Sequence, residues 1–130
     1  MKTNNIVLDA SAILAIINRE PGHEKLPVEM LAGAVASTVN LAEVQAKLVG
    51  RGWPPEEAWE DATSAIVRAL PFDQRQAKIS GDLVVQTRPV GLSLGDRACL
   101  TLGLILDAPV YTAESSWKKL KLDVDVRLIR

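Results

Sequence analysis

Near its N-terminus the chain has a continuous apolar run, Ile6-Val7-Leu8, and it changes to helical spacing directly after Asp9. Such a run is typical of a strand that is buried on both faces of a parallel sheet. Asp9 or Ser11 can cap a helix that continues to about Arg19. This order of strand and helix predicts an α/β fold, because parallel strands need a crossover connection, usually a helix, between them.

The alternation of strand and helix continues along the rest of the chain. Apolar runs indicate further strands, and helical spacing indicates further helices, with strands at 34–37, 69–72, 110–112 and 124–129 and helices at 23–31, 38–49, 54–67, 75–86 and 93–106. We therefore expect a mostly parallel central sheet of four or five strands with helices on both faces. In such sheets a site lies beyond the carboxyl ends of the strands, where the strand order reverses.

Length and composition fit one ordinary folded domain, which we expect to span residues 1–130. Fifteen Lys plus Arg and sixteen Asp plus Glu leave a formal charge of −1, so net charge does not predict binding to a polyanion. Cys99 is the only cysteine, which excludes an intramolecular disulfide and favours a cytoplasmic protein. The longest apolar stretch, 98–106, is too short to span a bilayer, so we expect no membrane segment.

Four acidic residues stand beside apolar neighbours near strand ends or helix starts. Asp9 follows the first strand, Glu43 emerges from an apolar helix face, Asp96 lies at the head of the most apolar helix, and Glu114 follows a strand that ends at Thr112. The carboxyl ends of parallel strands lie at one edge of the sheet. We therefore expect the four carboxylates to converge there.

Each acid also has a purely structural explanation. Asp9 can cap the next helix, Glu43 can complete a capping box if its helix begins near Asn40, Asp96 can interact with the helix dipole, and Glu114 can be a loop residue. Their convergence favours function instead. Two carboxylates about 4 Å apart repel by roughly 4 kcal/mol at an effective dielectric near 20. A hard divalent cation such as Mg²⁺ or Mn²⁺ would remove that repulsion.

Four short motifs follow one another along the chain: Ile6-Val7-Leu8-Asp9-Ala10-Ser11-Ala12, Ser37-Thr38-Val39-Asn40-Leu41-Ala42-Glu43-Val44, Leu94-Gly95-Asp96-Arg97-Ala98-Cys99-Leu100, and Val110-Tyr111-Thr112-Ala113-Glu114 continuing to Trp117. In this order they resemble the motifs of PIN-domain ribonucleases, and specifically of the VapC-type toxins of toxin–antitoxin pairs. The resemblance covers nearly the whole chain. It implies a PIN-like fold and a Mg²⁺- or Mn²⁺-dependent endoribonuclease that acts on structured cellular RNA.

The resemblance also implies roles for individual residues. The core acids would be Asp9, Glu43 and Asp96, supported by the hydroxyl groups of Ser11 and Thr112. Asp9 and Asp96 would bind the ion, and the other acids would act directly or through water. The fourth motif usually carries an aspartate, whereas this chain has Glu114, which is longer by one methylene. That longer arm would reach an ion through water or hold a second ion more loosely.

The implied chemistry is attack on phosphorus by a metal-activated water, which leaves 5′-phosphate and 3′-hydroxyl ends. Arg97 and Lys118 are candidate RNA contacts; Arg97 could instead pair with an acid, and Lys118 could lie on a solvated helix face. The resemblance further implies a homodimer and a VapB-type antitoxin whose tail lies in a groove near the early helices. Trp59 is expected in the core, with an exposed patch for a partner as the alternative.

Two other functions remain open from the residues. Asp9 could be a phosphoacceptor, although haloacid-type phosphatases have a second aspartate where this chain has Ser11. The chain could also be a weak or inactive PIN-fold module that binds RNA or protein without cutting, and Glu114 is the feature that favours this alternative.

Overall fold

The computed structural model describes residues 4–130 and contains a five-stranded sheet in which all strands are parallel. Residues 1–3 of the expected domain lie outside the described residues. In chain order the elements are β1 (Ile6–Leu8), α1 (Ala10–Asn18), α2 (Val28–Leu31), β2 (Ala34–Ser37), α3 (Thr38–Gly50), α4 (Pro55–Ser64), β3 (Arg68–Leu70), α5 (Gln74–Asp82), α6 (Val84–Thr87), α7 (Leu94–Leu106), β4 (Val110–Thr112) and β5 (Val126–Leu128). Two 3₁₀ turns, His23–Lys25 and Ser115–Lys119, complete the list. The predicted α/β fold is confirmed.

The sheet lies between two layers of helices. All three residues of β1 are buried, as a strand covered on both faces requires. Leu8 packs in a core with Leu41 of α3 and residues of α1 and α4. Val7, whose side chain points to the opposite face, packs in a second core with Leu100 of α7. Helices α3 and α7 therefore cover opposite faces of the same sheet.

The strand order β3-β2-β1-β4-β5 places a reversal of connection between β1 and β4. The chain proceeds outward from β1 through β2 to β3, and then crosses to the other side of β1 for β4 and β5. Strands β1 and β4 are hydrogen-bonded neighbours, with Leu8 beside Tyr111. Connections leave the ends of these two strands in opposite directions, which opens a crevice at the carboxyl edge.

Polar side chains cap four of the helices. Asp9 caps α1, Ser37 caps α3, Asp73 caps α5, and Ser93 caps α7, each accepting a hydrogen bond from a backbone N–H of the first turn. Asp9 and Ser37 lie within the first two of the four sequence motifs, and Ser93 directly precedes the third. The helix starts therefore position the candidate site directly.

Several predicted boundaries were wrong for local reasons. The helix expected at 23–31 is a 3₁₀ turn followed by α2, because Pro27 disfavours helical backbone at Leu26. The strand expected at 69–72 is β3, which ends before Pro71, a residue without an N–H for the ladder. The helix expected at 75–86 is divided between α5 and α6, and the strand expected at 124–129 is the shorter β5.

The tryptophans divide between the core and the surface. Trp117 is buried in the second core, with 1% of its surface exposed, and Trp53 is partly buried against the first. The placement of Trp59 in the core was wrong, since 47% of its surface is exposed. Among residues 4–130, no helix combines the length and apolarity needed to cross a membrane.

Candidate active site

A cleft at the carboxyl edge of β1 and β4 brings together all four predicted acids. Its lining consists of residues from four separate parts of the chain: Asp9, Ala10, Ser11, Glu43, Lys47, Ser93, Asp96 and Glu114. Glu43 comes from α3 on one face of the sheet, and Asp96 comes from α7 on the other. The two faces meet at this edge, so residues 53 positions apart in sequence line the same cleft.

Asp9 is the most buried of the four acids, with 3% of its surface exposed. Its Oδ1 accepts a hydrogen bond from the backbone N–H of Ala12 at 2.8 Å, and its Oδ2 accepts one from the Thr112 hydroxyl at 2.6 Å. Burial raises the pKa of Asp9 from 3.8 to about 6, although these hydrogen bonds oppose the change and the charge of Asp96 adds to it. The ionised form of Asp9 is therefore less favourable than that of an exposed aspartate, and a nearby cation would stabilise it.

Ser11 and Thr112, the two predicted supporting residues, both contact Asp9. The Ser11 hydroxyl lies 2.7 Å from Oδ1 and 2.9 Å from Oδ2 of Asp9, and it accepts a hydrogen bond from the Ala113 N–H at 2.9 Å. Thr112 donates to Asp9 and accepts from the Glu114 N–H at 3.0 Å. These two hydroxyl groups tie the end of β1 to the end of β4.

Glu43 lies in the second turn of α3, where it cannot form a capping box. The helix is capped by Ser37, so the capping-box explanation, which needed a start near Asn40, is excluded. Asn40 Nδ2 donates to Glu43 Oε1 at 3.0 Å. The structural alternative for Glu43 therefore fails, and its carboxylate faces the cleft.

Asp96 both caps its own helix and lines the cleft. Its Oδ2 accepts a hydrogen bond from the Ser93 N–H at 3.0 Å, and its own N–H donates to Ser93 Oγ at 3.2 Å, which is a complete capping box. A carboxylate has about four acceptor sites, so this cap leaves capacity for another partner. The structural and functional interpretations of Asp96 are compatible.

Glu114 lies at the exposed mouth of the cleft. It precedes the 3₁₀ turn Ser115–Lys119, and its side chain makes no capping hydrogen bond there. Its position beyond β4 matches the prediction, but its surroundings are more aqueous than those of Asp9.

The donor set suits a hard divalent cation, because all four charged ligands offer carboxylate oxygens. Within residues 4–130, however, no group of three acidic, histidine or cysteine side chains is close enough to share one ion. Asp9, Glu43 and Asp96 each hydrogen-bond to neighbouring donors. One or two direct carboxylates with retained water, which is the coordination that Mg²⁺ prefers, fits this arrangement.

The buried thiol of Cys99 lies close enough to three of these acids for their negative charges to affect its pKa. Burial raises the pKa of its thiol well above the usual value, and the charges of Asp9, Asp96 and Glu43 raise it further. The thiol is thus uncharged and unreactive. The concentration of negative charge is the second reason that the cleft favours a cation.

The two cations predicted to contact RNA lie outside the lining of the acid cleft. Arg97 donates from Nε to the Ser80 carbonyl at 3.0 Å and from a terminal nitrogen to the Leu92 carbonyl at 3.3 Å. Lys118 lines a different cavity, together with Trp117, Leu120, Leu122 and residues 124–126. Neither residue pairs with an acid among the described residues.

Sequence reasoning missed Lys47, Asn40 and Gly95. Lys47 is exposed on α3, lines the cleft and follows Glu43 by one helical turn. That spacing was the available signal for Lys47. Asn40 is buried, and its Nδ2 also donates to the Gly95 carbonyl at 3.0 Å. No sequence pattern links Asn40 to Gly95, because they are 55 positions apart.

A model of the PIN domain family matches residues 6–122, whereas no curated protein sequence matches the chain. A chain of VapBC2 from Rickettsia felis, bound to a promoter DNA fragment, is 17% identical with a TM-score of 0.73, over 95% of this chain and 97% of that one. A chain of DNA-bound VapBC from Salmonella typhimurium is 15% identical with a TM-score of 0.76, over 100% of both.

A third similar structure is VapBC-5 from Mycobacterium tuberculosis, described as a member of the VapBC family of toxin-antitoxin systems. It is 18% identical with a TM-score of 0.62, over 98% of this chain and 99% of that one. Identities this low show a shared fold. The family match, however, covers nearly all of the chain and includes all four acids of the cleft. The chain belongs to the PIN domain family.

Proposed function

We propose that this chain is a divalent-metal-dependent endoribonuclease and the VapC-type toxin of a toxin–antitoxin pair. The observation that carries the proposal is the convergence of Asp9, Glu43, Asp96 and Glu114 in one cleft at the reversal of strand order. Family membership and the fold shared with chains of VapBC complexes support it.

Asp9 and Asp96 would hold a Mg²⁺ or Mn²⁺ ion, with Glu43 and Glu114 acting directly or through water. When bound, the ion supplies a Lewis acid that polarises a phosphate oxygen and lowers the pKa of a coordinated water. Asp9 must be ionised to take part, and the hydroxyl groups of Ser11 and Thr112 hold its oxygens in place. Glu43 and Glu114 are placed to accept hydrogen bonds from water at the cleft.

Lys47 is the residue that we propose to contact the RNA phosphate. It lines the acid cleft, and its ammonium forms none of the ion pairs found among residues 4–130. An anionic substrate needs a cation near clustered carboxylates, and an exposed lysine is a suitable point charge for phosphate. Lys47 fits this role better than Arg97 or Lys118, which lie outside the lining of this cleft.

A VapB-type antitoxin is the partner that we propose, consistent with the complexes named above. An apolar groove between α3 and α4, lined by Ala42, Ala46, Val49 and Trp59, is the candidate seat for its tail. The groove and the cleft share α3, so an antitoxin segment in the groove lies near Glu43 and Lys47.

We also propose that the toxin is a homodimer, which sedimentation analysis would test.

The deciding experiment is cleavage of total bacterial RNA by the purified chain with Mg²⁺ or Mn²⁺. Discrete fragments with 5′-phosphate ends are expected, and they should be lost with EDTA and in Asp96→Asn. Asp82→Asn is a matched control, because Asp82 is exposed on α5 and outside the cleft. Ends with 2′,3′-cyclic phosphate would contradict a metal-activated water. RNA binding without cleavage by a folded, Mn²⁺-bound chain would favour the non-cutting module.

A further inference from the structure

Asn40 is a fully buried amide between two hydrogen-bond acceptors. It is 1% exposed, and its Nδ2 lies 3.0 Å from Glu43 Oε1 and 3.0 Å from the Gly95 carbonyl oxygen. Glu43 belongs to α3 and Gly95 to the first turn of α7, directly before Asp96. One amide thus links the helices that carry two of the acids.

The orientation of this amide is fixed by its neighbours. Both atoms that it faces are acceptors, so the nitrogen, with its two N–H donors, must point towards them. The oxygen consequently points the other way, where it is buried without a hydrogen-bond partner among residues 4–130. An unsatisfied buried oxygen lowers the stability of the fold. Packing alone therefore does not explain an asparagine at this position.

Gly95 leaves the space that the Glu43 carboxylate occupies. A Cβ built on Gly95 would clash with both carboxylate oxygens of Glu43, Oε1 and Oε2. Gly95 is helical and does not have a positive φ, so its backbone does not require glycine. The absence of a side chain therefore serves the close approach of the carboxylate.

We propose that Asn40 and Gly95 are positioning residues that together fix the Glu43 carboxylate in the acid cleft. Asn40 holds one carboxylate oxygen by a hydrogen bond, and Gly95 provides the pocket against α7 in which the carboxylate lies. This inference rests on the proposed metal-dependent function. It extends that function by naming the contacts that set the distance between Glu43 and Asp96.

The first test is Mn²⁺ affinity measured by calorimetry on the full chain for Gly95→Ala, Glu43→Ala and the double variant. Gly95→Ala should weaken Mn²⁺ binding about tenfold, because changes that reorient metal ligands typically cost ten- to hundredfold. The helix should persist, since alanine favours helix and the clash involves only the end of a flexible side chain. In the Glu43→Ala background the same substitution should have no further effect.

A second variant, Asn40→Leu, separates positioning from stability. Leucine has a similar shape but lacks both the donors and the unsatisfied oxygen. Its melting temperature should equal or exceed that of the wild type, while Mn²⁺ affinity and kcat fall about tenfold or more and KM for RNA changes little. Ser80→Ala is the matched control, because Ser80 is a buried polar residue whose hydroxyl bonds to Thr101 of α7. It should leave Mn²⁺ affinity unchanged.

The possible outcomes separate this inference from the proposed function. Unchanged Mn²⁺ affinity in Gly95→Ala and Asn40→Leu would overturn the inference even if the wild type cleaves RNA. A loss of affinity that persists in the Glu43→Ala background would also overturn it. The inference is supported, even if no RNA is cleaved, when two results hold. The wild type binds Mn²⁺, and Gly95→Ala weakens that binding in the wild type but not in the Glu43→Ala background.

Discussion

The floor and the rim of the acid cleft differ in how firmly they are held. By the floor we mean the buried or half-buried residues in and directly behind the cleft lining, which form two hydrogen-bonded groups: Asp9 with Ser11 and Thr112, and Asn40 with Gly95. The rim consists of Lys47 and Glu114, which are exposed. Electrostatic interactions in the floor act at a lower effective dielectric, whereas those at the rim are screened by water and salt. Substitutions in the floor should therefore have larger effects.

The largest expected effect is the loss of catalysis in Asp9→Asn. Asparagine keeps the shape but removes the charge that would bind the ion, so kcat/KM should fall roughly a thousandfold, equivalent to about 4 kcal/mol. Rates of RNA cleavage at saturating Mn²⁺ would measure it, with Asp82→Asn as the control. A loss below about tenfold would mean that Asp9 serves only as the cap of α1.

The same substitution should stabilise the metal-free protein. The pKa of Asp9 rises from 3.8 to about 6 on folding, so between these pH values the folded chain binds more protons than the unfolded chain. The contribution of Asp9 to the free energy of unfolding therefore decreases as pH rises from about 4 to 6, and it remains low above that range. At pH 7 without metal, Asp9→Asn should be more stable than the wild type by about 1–3 kcal/mol.

Denaturant unfolding in EDTA at pH 4 and pH 7 would measure this difference. The advantage of Asp9→Asn should nearly disappear at pH 4, where the wild-type carboxyl is mostly protonated in the folded state. Mn²⁺ should then reverse the order at pH 7 by binding folded wild type. Equal stabilities of the two proteins at pH 7 would show that the buried carboxylate is already compensated without an ion.

The floor was partly predictable from sequence, because strand ends determine where Asp9 and Thr112 lie. Ile6-Val7-Leu8 and Val110-Tyr111-Thr112 each end at the same edge of a parallel sheet, and that rule needs no side-chain detail. The contact of Asn40 with Gly95 was not predictable, since it depends on how two helices on opposite faces approach each other. Pattern and spacing do not specify that approach.

In the rim, Glu114 was predicted from its place after β4, but Lys47 was missed for a different reason. Arg97 is adjacent to Asp96 in sequence, but neighbours on a helix point about 100° apart, and Arg97 bonds to carbonyl groups of residues 80 and 92. Lys47 follows Glu43 by four residues and therefore shares its face. Helical spacing, applied to the cations as it was to the apolar residues, would have favoured Lys47 over Arg97.

Lys47→Ala tests whether the rim contributes to substrate binding. Removing one charged contact to phosphate should lower kcat/KM about tenfold, mainly through KM, and should reduce the slope of log affinity against log salt by about one. Mn²⁺ affinity should not fall, because Lys47 repels the ion. Lys47→Arg should restore most of the activity, and Lys78→Ala, which removes an exposed lysine from α5, should have no effect. Salt-independent losses in Lys47→Ala would instead indicate damage to the floor.

Glu114 should show the smallest effect, although the family motif places an aspartate there. An exposed carboxylate that acts through water contributes about 0.5–1 kcal/mol, so Glu114→Gln should lower kcat roughly two- to fivefold. Glu114→Asp should stay within that range, because water can fill the distance that one methylene leaves. Single-turnover cleavage beside Asp9→Asn would make the comparison directly. If Glu114→Gln is as inactive as Asp9→Asn, Glu114 binds the ion directly and is as important for catalysis as the buried Asp9. The exposure of a side chain in the metal-free protein would then not predict its role in the site.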